Sequence, residues 1–261
     1  MLVRDIVKIM EETAPPELAE KWDNVGLLVG GEDSEVKKIL FALDAIDPVV
    51  DEAIEIGADM IITHHPIIFK SINAVNNTTS LGRRIIKLIK NNISVYSAHT
   101  NFDIADGGTN SILADLIGLR DTDGLIPCGD AFLGRTGILK EKMTLKDLAD
   151  KLMDVLGAPS LNITGELSHT VCRVGLCTGS GADRDFMLAA KQKGCDVYIT
   201  GDVSYHNAQF AQEIGLCLID AAHYYTEAAA MPYLCGYVSK KCTVECVVTK
   251  MKGESFKLIT R

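Results

Sequence analysis

"GADMIIT" at residues 57–63 and "GCDVYIT" at residues 194–200 align without gaps, sharing Gly, Asp, Ile and Thr in register. Each is a strand-length apolar run opened by a glycine and an aspartate. One strand further on, "AHTNFD" (98–103) matches "AHYYTE" (222–227), so an Ala-His pair is followed in both places by a carboxylate four residues after the histidine. A single G-x-D strand recurs often in α/β proteins. Two matches in the same order, separated each time by one helix and one strand, indicate an internal duplication.

The surrounding sequence has the same rhythm twice. In the first half "KKILFAL" (37–43), "ADMIITH" (58–64) and "ISVYSAH" (93–99) read as strands, separated by the helical stretches "DPVVDEAIEIG" and "SLGRRIIKLIKNN", the second with Ser80 as its N-cap. In the second half "VCRVGLC" (171–177), "CDVYIT" (195–200) and "LCLIDAAH" (216–223) alternate with helices through "DRDFMLAAKQKG" and "NAQFAQEIG". This alternation and the repeat predict an α/β protein: a duplicated three-layer α/β/α unit, its two similar halves carrying mostly parallel or mixed sheets and facing each other. The first half is expected over residues 1–125, and the connection plus second half over 126–261, with the segment from about 228 packing back on the first half.

Composition narrows the class. The 261 residues are 47% hydrophobic and 23% charged, enough to bury a sizeable core. Lys and Arg total 26 against 35 Asp and Glu, a formal charge of −9, which argues against a nucleic-acid backbone as main partner. The longest apolar runs are strand-sized and the start does not resemble a signal peptide, so no membrane association and a cytoplasmic location are expected. The eight cysteines form no Cys-x-x-Cys pair and read as reduced thiols, several of them small core residues.

Ligands of open α/β sheets bind beyond the carboxyl ends of the strands. His64 and His65, His99 with Asp103, and His223 with Glu227 all fall at such ends. Imidazoles mixed with carboxylates suit zinc, manganese, iron or nickel better than calcium. The H-x-x-x-D and H-x-x-x-E spacings put each pair on one face of a helical turn. Adjacent histidines in extended backbone point to opposite sides, so His64 and His65 are expected to serve two ions about 3.5–4 Å apart, one each. Pro66 keeps His65 extended.

The remaining candidates are weaker. His169 reads as solvated and His206 as structural. "TGSGAD" (178–183) follows a strand and opens a helix, so its amides suit a phosphate, although a lone G-x-G is more often a tight turn. "EKWDNVGLLVGG", with Trp22, Asp23, Asn24 and Gly26, reads as a turn into an apolar strand.

Taken in order, "WDNVGLLVG", "THHPIIF", "AHTNFD", "ITGD" and "AAHYYTE" resemble the motifs of the homologues of type 2 GTP cyclohydrolase I, also called the NGG-one-interacting-factor-three-like proteins, across residues 22–227. The resemblance implies a duplicated α/β chain with a dinuclear metal site, a toroidal homohexamer, and no inserted middle domain of the kind longer members carry. Motif by motif it assigns His64, His65, Asp103, His223 and Glu227 to two divalent metal ions, and leaves His99 as a ligand or a candidate acid/base. It further implies a hydrolase whose metal-activated water attacks a nucleotide or related small molecule, with C8 of GTP as the family's reading. The alternative is a metal-binding regulatory or adaptor protein without turnover. Two positions depart from the pattern: Asp202 stands where Glu is usual, and Ala222 precedes His223 where Gly is usual.

Overall fold

In the computed structural model, which describes residues 1–256 and Ile259, the chain divides into two units. One consists of Met1–Ala105 with Met231–Glu254; the other is built on Asp106–Ala230. Among the described residues eleven strands lie in two sheets, mixed with helices: β1 (Gly26–Val29), β2 (Lys38–Ala42), β3 (Met60–Thr63), β4 (Ser94–Ser97), β5 (Leu119–Cys128), β6 (Ala131–Thr144), β7 (Asn162–Thr164), β8 (Thr170–Leu176), β9 (Val197–Thr200), β10 (Cys217–Asp220) and β11 (Glu245–Val248).

The first sheet has the order β1-β4-β3-β2-β11 and the second β5-β6-β8-β9-β10-β7. Within them the duplication is explicit. In each, three sequential strands run parallel, and the strand just before them in the chain lies antiparallel against the third: β1 on β4, and β7 on β10. The sheets differ in what extends the opposite edge. In the first unit it is β11, parallel to β2; in the second it is the antiparallel β5–β6 hairpin, joined to β8. Residues 119–144, Gly- and Asp-rich in sequence, are therefore sheet.

The repeated Gly-x-Asp letters have a structural cause. Gly57 and Gly194 take left-handed φ values of 66° and 74° just beyond the helices Asp47–Glu55 and Arg184–Gln192, a conformation that glycine adopts without a Cβ clash. Asp59 Oδ2 then accepts the backbone N–H groups of Lys37 and Lys38, at 2.7 and 3.0 Å. Asp196 Oδ2 accepts those of Cys172 and Arg173, both at 2.8 Å. Each carboxylate clamps two successive amides of the neighbouring parallel strand or of its entry. The first letters of the repeat thus encode strand register.

Packing follows from strand periodicity. All four residues of β3 and all four of β9 are buried, the signature of a strand covered on both faces. In β9, Val197 and Ile199 join the cluster of Leu145, Leu148, Leu152, Val171 and Val174, whereas Tyr198 joins Met187, Ala190, Ala211 and Leu218. Alternate side chains thus enter separate cores on the two faces of one sheet. In the first unit Val49, Val50, Ala53, Ile85 and Leu88 from two helices pack on Leu40, Ile61 and Val95.

Two details complete the fold. The helix Ser80–Lys90 is capped by Thr79 rather than Ser80: Thr79 Oγ1 accepts the Gly82 N–H at 3.0 Å, and Ser80 is already helical. No helix among the described residues is long and apolar enough to cross a membrane, and none of the cysteines there is joined in a disulfide.

Removing either clamp leaves two backbone donors without their carboxylate, which costs about 2 kcal/mol. Asp59→Ala and Asp196→Ala are each expected to destabilise the protein by that amount in urea unfolding. Stabilities within about 0.5 kcal/mol of wild type would contradict the clamp.

Candidate metal centre

In the first unit, β3 ends at Thr63 and the chain bends at once. Thr63 Oγ1 donates to the His65 carbonyl at 2.9 Å, and the His65 N–H donates to the Leu43 carbonyl at 3.0 Å. The expectation that the two imidazoles diverge is corrected by this bend, since it assumed an extended backbone that stops one residue earlier. Their ring centroids lie 5.1 Å apart. His99, two residues past β4, precedes the short helix Thr100–Ile104 that carries the buried Asp103. One ligating nitrogen from each of His64, His65 and His99 lies within 4.8 Å of the others. Asp103 Oδ1 stands 3.5 Å from His64 Nε2.

Every one of these rings is held by its Nδ1. His64 Nδ1–H donates to the Ala98 carbonyl at 2.8 Å. His65 Nδ1–H donates to Asp44 Oδ1 at 2.8 Å, and His99 Nδ1–H to Asp23 Oδ1 at 2.9 Å. Such bonds fix the tautomer and turn the Nε2 lone pair towards a ligand, as around protein-bound metals. A carbonyl can only accept, so His64 Nδ1 carries a proton, and in the neutral ring Nε2 then meets a carboxylate oxygen, acceptor against acceptor. A cation satisfies both.

Asp23 is the most heavily engaged of the orienting carboxylates. Burial would raise its pKa, but hydrogen bonds from the His99 ring, the Thr100 hydroxyl and the Thr100 N–H outweigh it and hold the carboxyl at about 2, against an ordinary 3.8.

In the second unit, His223 opens the helix His223–Ala228, one turn ahead of the buried Glu227. His223 Nδ1–H donates to Asp202 Oδ2 at 2.7 Å, and its Nε2 stands 3.0 Å from Glu227 Oε2. In the neutral ring this again opposes an imidazole lone pair to a carboxylate. The His-carboxylate pairs in both units fit a divalent ion by their donor chemistry. Asp202, one of the two departures noted in the sequence, is therefore the group that orients His223. The other departure has a visible cost: Ala222 sits at φ 60° and ψ 147°, a region that suits glycine.

The glycine loop at 178–181 serves Glu227. A Cβ on Gly179 would fall 2.0 Å from Glu227 Oε1. The amides of Thr178, Gly179 and Gly181 donate to Asn110 Oδ1, Thr226 Oγ1 and Thr200 Oγ1 respectively. Three donors that a phosphate would need are thus engaged within the unit. His169 is exposed, and exposed His206 contacts Gln209 on its own helix.

Asp23, Asp44 and Asp202 were not singled out as functional in the sequence. For Asp23 and Asp202 the available signal was their place inside motif-like segments; Asp44 offered only its position just past a strand end.

Fold and site together define a duplicated mixed α/β protein with histidine and carboxylate groups suited to holding metal. The family model for Duf34/NIF3 (NGG1p interacting factor 3) matches residues 1–254, and the chain belongs to that family. The GTP cyclohydrolase 1 type 2 homolog of Clostridium perfringens (strain 13 / Type A) is 37% identical over 264 residues, spanning 99% of this chain and 100% of that protein. The protein of the same name from Clostridium acetobutylicum is 41% identical over 229 residues, 86% of this chain and 85% of the relative. Among solved structures, a Bacillus cereus protein related to NIF3 superposes with a TM-score of 0.90 at 26% identity, covering 99% of each chain. That likeness supports the duplicated α/β fold.

Two stability predictions follow from the site. Asp23→Asn should cost about 2 kcal/mol at pH 7. Because the folded carboxyl is depressed, its contribution is present above the ordinary value and lost as pH falls from about 4 through about 2; the gap between variant and wild type in chemical unfolding should close over that window. Ala222→Gly should stabilise the protein by about 1 kcal/mol through relief of the backbone, read as a higher unfolding temperature. A destabilised glycine variant would refute the strain.

Proposed function

We propose that the chain is a dinuclear metal-dependent hydrolase acting on a nucleotide or related small molecule. The observation that carries this reading is that imidazole Nε2 and carboxylate oxygen converge at His64 with Asp103 and at His223 with Glu227 while Nδ1 of each ring is held from behind, a donor set that suits a divalent ion. Two divalent ions per chain, drawn from Zn, Mn, Fe and Ni, would be held by His64, His65, Asp103, His223 and Glu227, an assignment that rests on the motifs. Bound divalent ions supply Lewis acidity and lower the pKa of water.

The chain's own contribution is orientation and proton handling. His99 donates through Nδ1 to Asp23, so Nε2 is the atom that takes or gives a proton. An ionised Asp23 stabilises the imidazolium that forms when Nε2 accepts a proton, and its bonds to Thr100 keep the ring in place. Asp44 and Asp202 hold the rings of His65 and His223 in place through Nδ1 in the same way, leaving Nε2 for a ligand. The relatives named as GTP cyclohydrolase 1 type 2 homologs support GTP as the first substrate to test, by water addition at C8, ring opening and release of formate. We propose with it the ring-shaped homohexamer, which sedimentation in solution checks.

Glu227→Gln provides the test. A glutamine amide can donate to the neutral His223 Nε2 and so satisfies without metal the contact that a carboxylate satisfies only with a cation or with a protonated ring. The variant should fold as well as wild type without metal, yet lose the rise in unfolding temperature that Zn, Mn, Fe or Ni gives wild type. Elemental analysis of wild type purified without chelator should give about two ions per chain. A value near zero, with no binding on adding any of the four metals, overturns the reading. Equal formate release by wild type and Glu227→Gln sinks the mechanism, and retained metal without turnover of any nucleotide favours the regulatory alternative.

A further inference from the structure

The first unit carries an aromatic group beside His99 that the chemistry above does not use. Trp22, the only tryptophan in the chain, is 59% exposed, and Phe69 is 48% exposed. Their ring centroids lie 5.8 Å apart at 62°, and they stand 6.0 and 6.1 Å from the His99 ring, at 75° and 76°. The three rings close a triangle of edge-to-face contacts, which leaves much of the Trp22 and Phe69 surface to solvent. Ile72 and Val75, further along the chain, are exposed apolar residues as well.

These aromatics are tied to the histidine cluster by the residues that build it. Trp22 immediately precedes Asp23, whose carboxylate holds His99 and Thr100. Phe69 immediately follows Ile68, whose carbonyl accepts the Asn24 Nδ2–H at 2.5 Å. The turn at residues 22–24 therefore fixes the proton-handling imidazole and both exposed rings at once. Single exposed aromatics are ordinary; two in contact, locked to a reactive imidazole, make a recognition surface.

We propose that Trp22 and Phe69 form a stacking platform that binds a planar heteroaromatic ring of nucleobase size beside His99. The platform offers π-faces, which any nucleobase can stack on, and the edge of a stacked ring would meet the imidazole. Sugars and aliphatic acids have no π-face and gain nothing from it. As the substrate's seat, the platform rests on the hydrolase reading; as a binding site it stands without turnover.

Because Trp22 is the only tryptophan, its fluorescence reports on the platform alone. The full chain, metal-free and metal-loaded, is titrated with guanosine, with ribose as the non-aromatic control, and compared with Phe69→Leu and Phe69→Tyr while sedimentation follows the assembly state. Guanosine should quench saturably and ribose should not. Phe69→Leu should weaken binding about tenfold, or about 1.4 kcal/mol, and Phe69→Tyr should stay within about twofold of wild type. Quenching that persists in metal-free protein supports the platform even if no hydrolysis is found. No saturable quenching by guanosine, equal quenching by ribose, or unchanged affinity in Phe69→Leu overturns it. So does a Phe69→Leu variant that alters assembly while binding guanosine as wild type does, which assigns the surface to a second copy of the chain.

Discussion

The carboxylate clamp at the start of each central strand sets the level at which the strands stop. With Asp59 holding the amides of Lys37 and Lys38, the register runs Ala42 to Thr63 to Ser97 across β2, β3 and β4. Asp44, His64 and His99 each leave the sheet within two residues of that line. In the second unit the clamp at Asp196 sets Asp220 opposite Thr200, and Asp202 and His223 follow within three residues. A slip of one residue would turn every side chain of a strand to the other face and disperse these groups. The histidine clusters are thus a consequence of strand register before they are a feature of any loop.

Once the strands stop together, the imidazoles need only be aimed. Each does this through Nδ1, with Asp23, Asp44, Asp202 or the Ala98 carbonyl as acceptor. The device is the same in both units, but the load differs. The first unit supplies three rings and Asp103. The second supplies one ring and Glu227, because β9 ends in Thr200-Gly201-Asp202, where β3 ends in Thr63-His64-His65. At the position equivalent to the second histidine of the pair, the duplicated unit carries an orienting carboxylate.

This asymmetry also explains what could be read from sequence. The duplication was legible because Gly57, Asp59, Gly194 and Asp196 are demanded by the backbone, and backbone demands leave the same letters twice. The histidines were legible because their residue type is rare and chemically narrow. The carboxylates that aim them were not: Asp23 reaches His99 from 76 positions away, as one acid among 35. The divergence expected of His64 and His65 failed because strand periodicity holds only to Thr63. The β5–β6 hairpin escaped notice because its polar residues and glycines at 124, 134 and 137 interrupt the alternation that marks a half-buried strand.

The glycine loop shows the same letters serving a different physical need. "TGSG" after a strand and before a helix has the form of an anion cradle, yet its amides at 178, 179 and 181 are engaged by Asn110, Thr226 and Thr200. What the glycines provide is closeness. A Cβ on Gly179 would strike Glu227, and one on Gly201 would lie 2.6 Å from the backbone nitrogen of His223. Both absences let the helix His223–Ala228 seat its His and Glu against the end of the sheet. The residue that turns the chain into that helix is Ala222, and its positive φ shows that the geometry of this corner is kept even where the side chain opposes it. A backbone held against its local preference implies that the surrounding contacts, Asp202 on His223 and Thr226 on Gly179, over-determine the place of the donor pair.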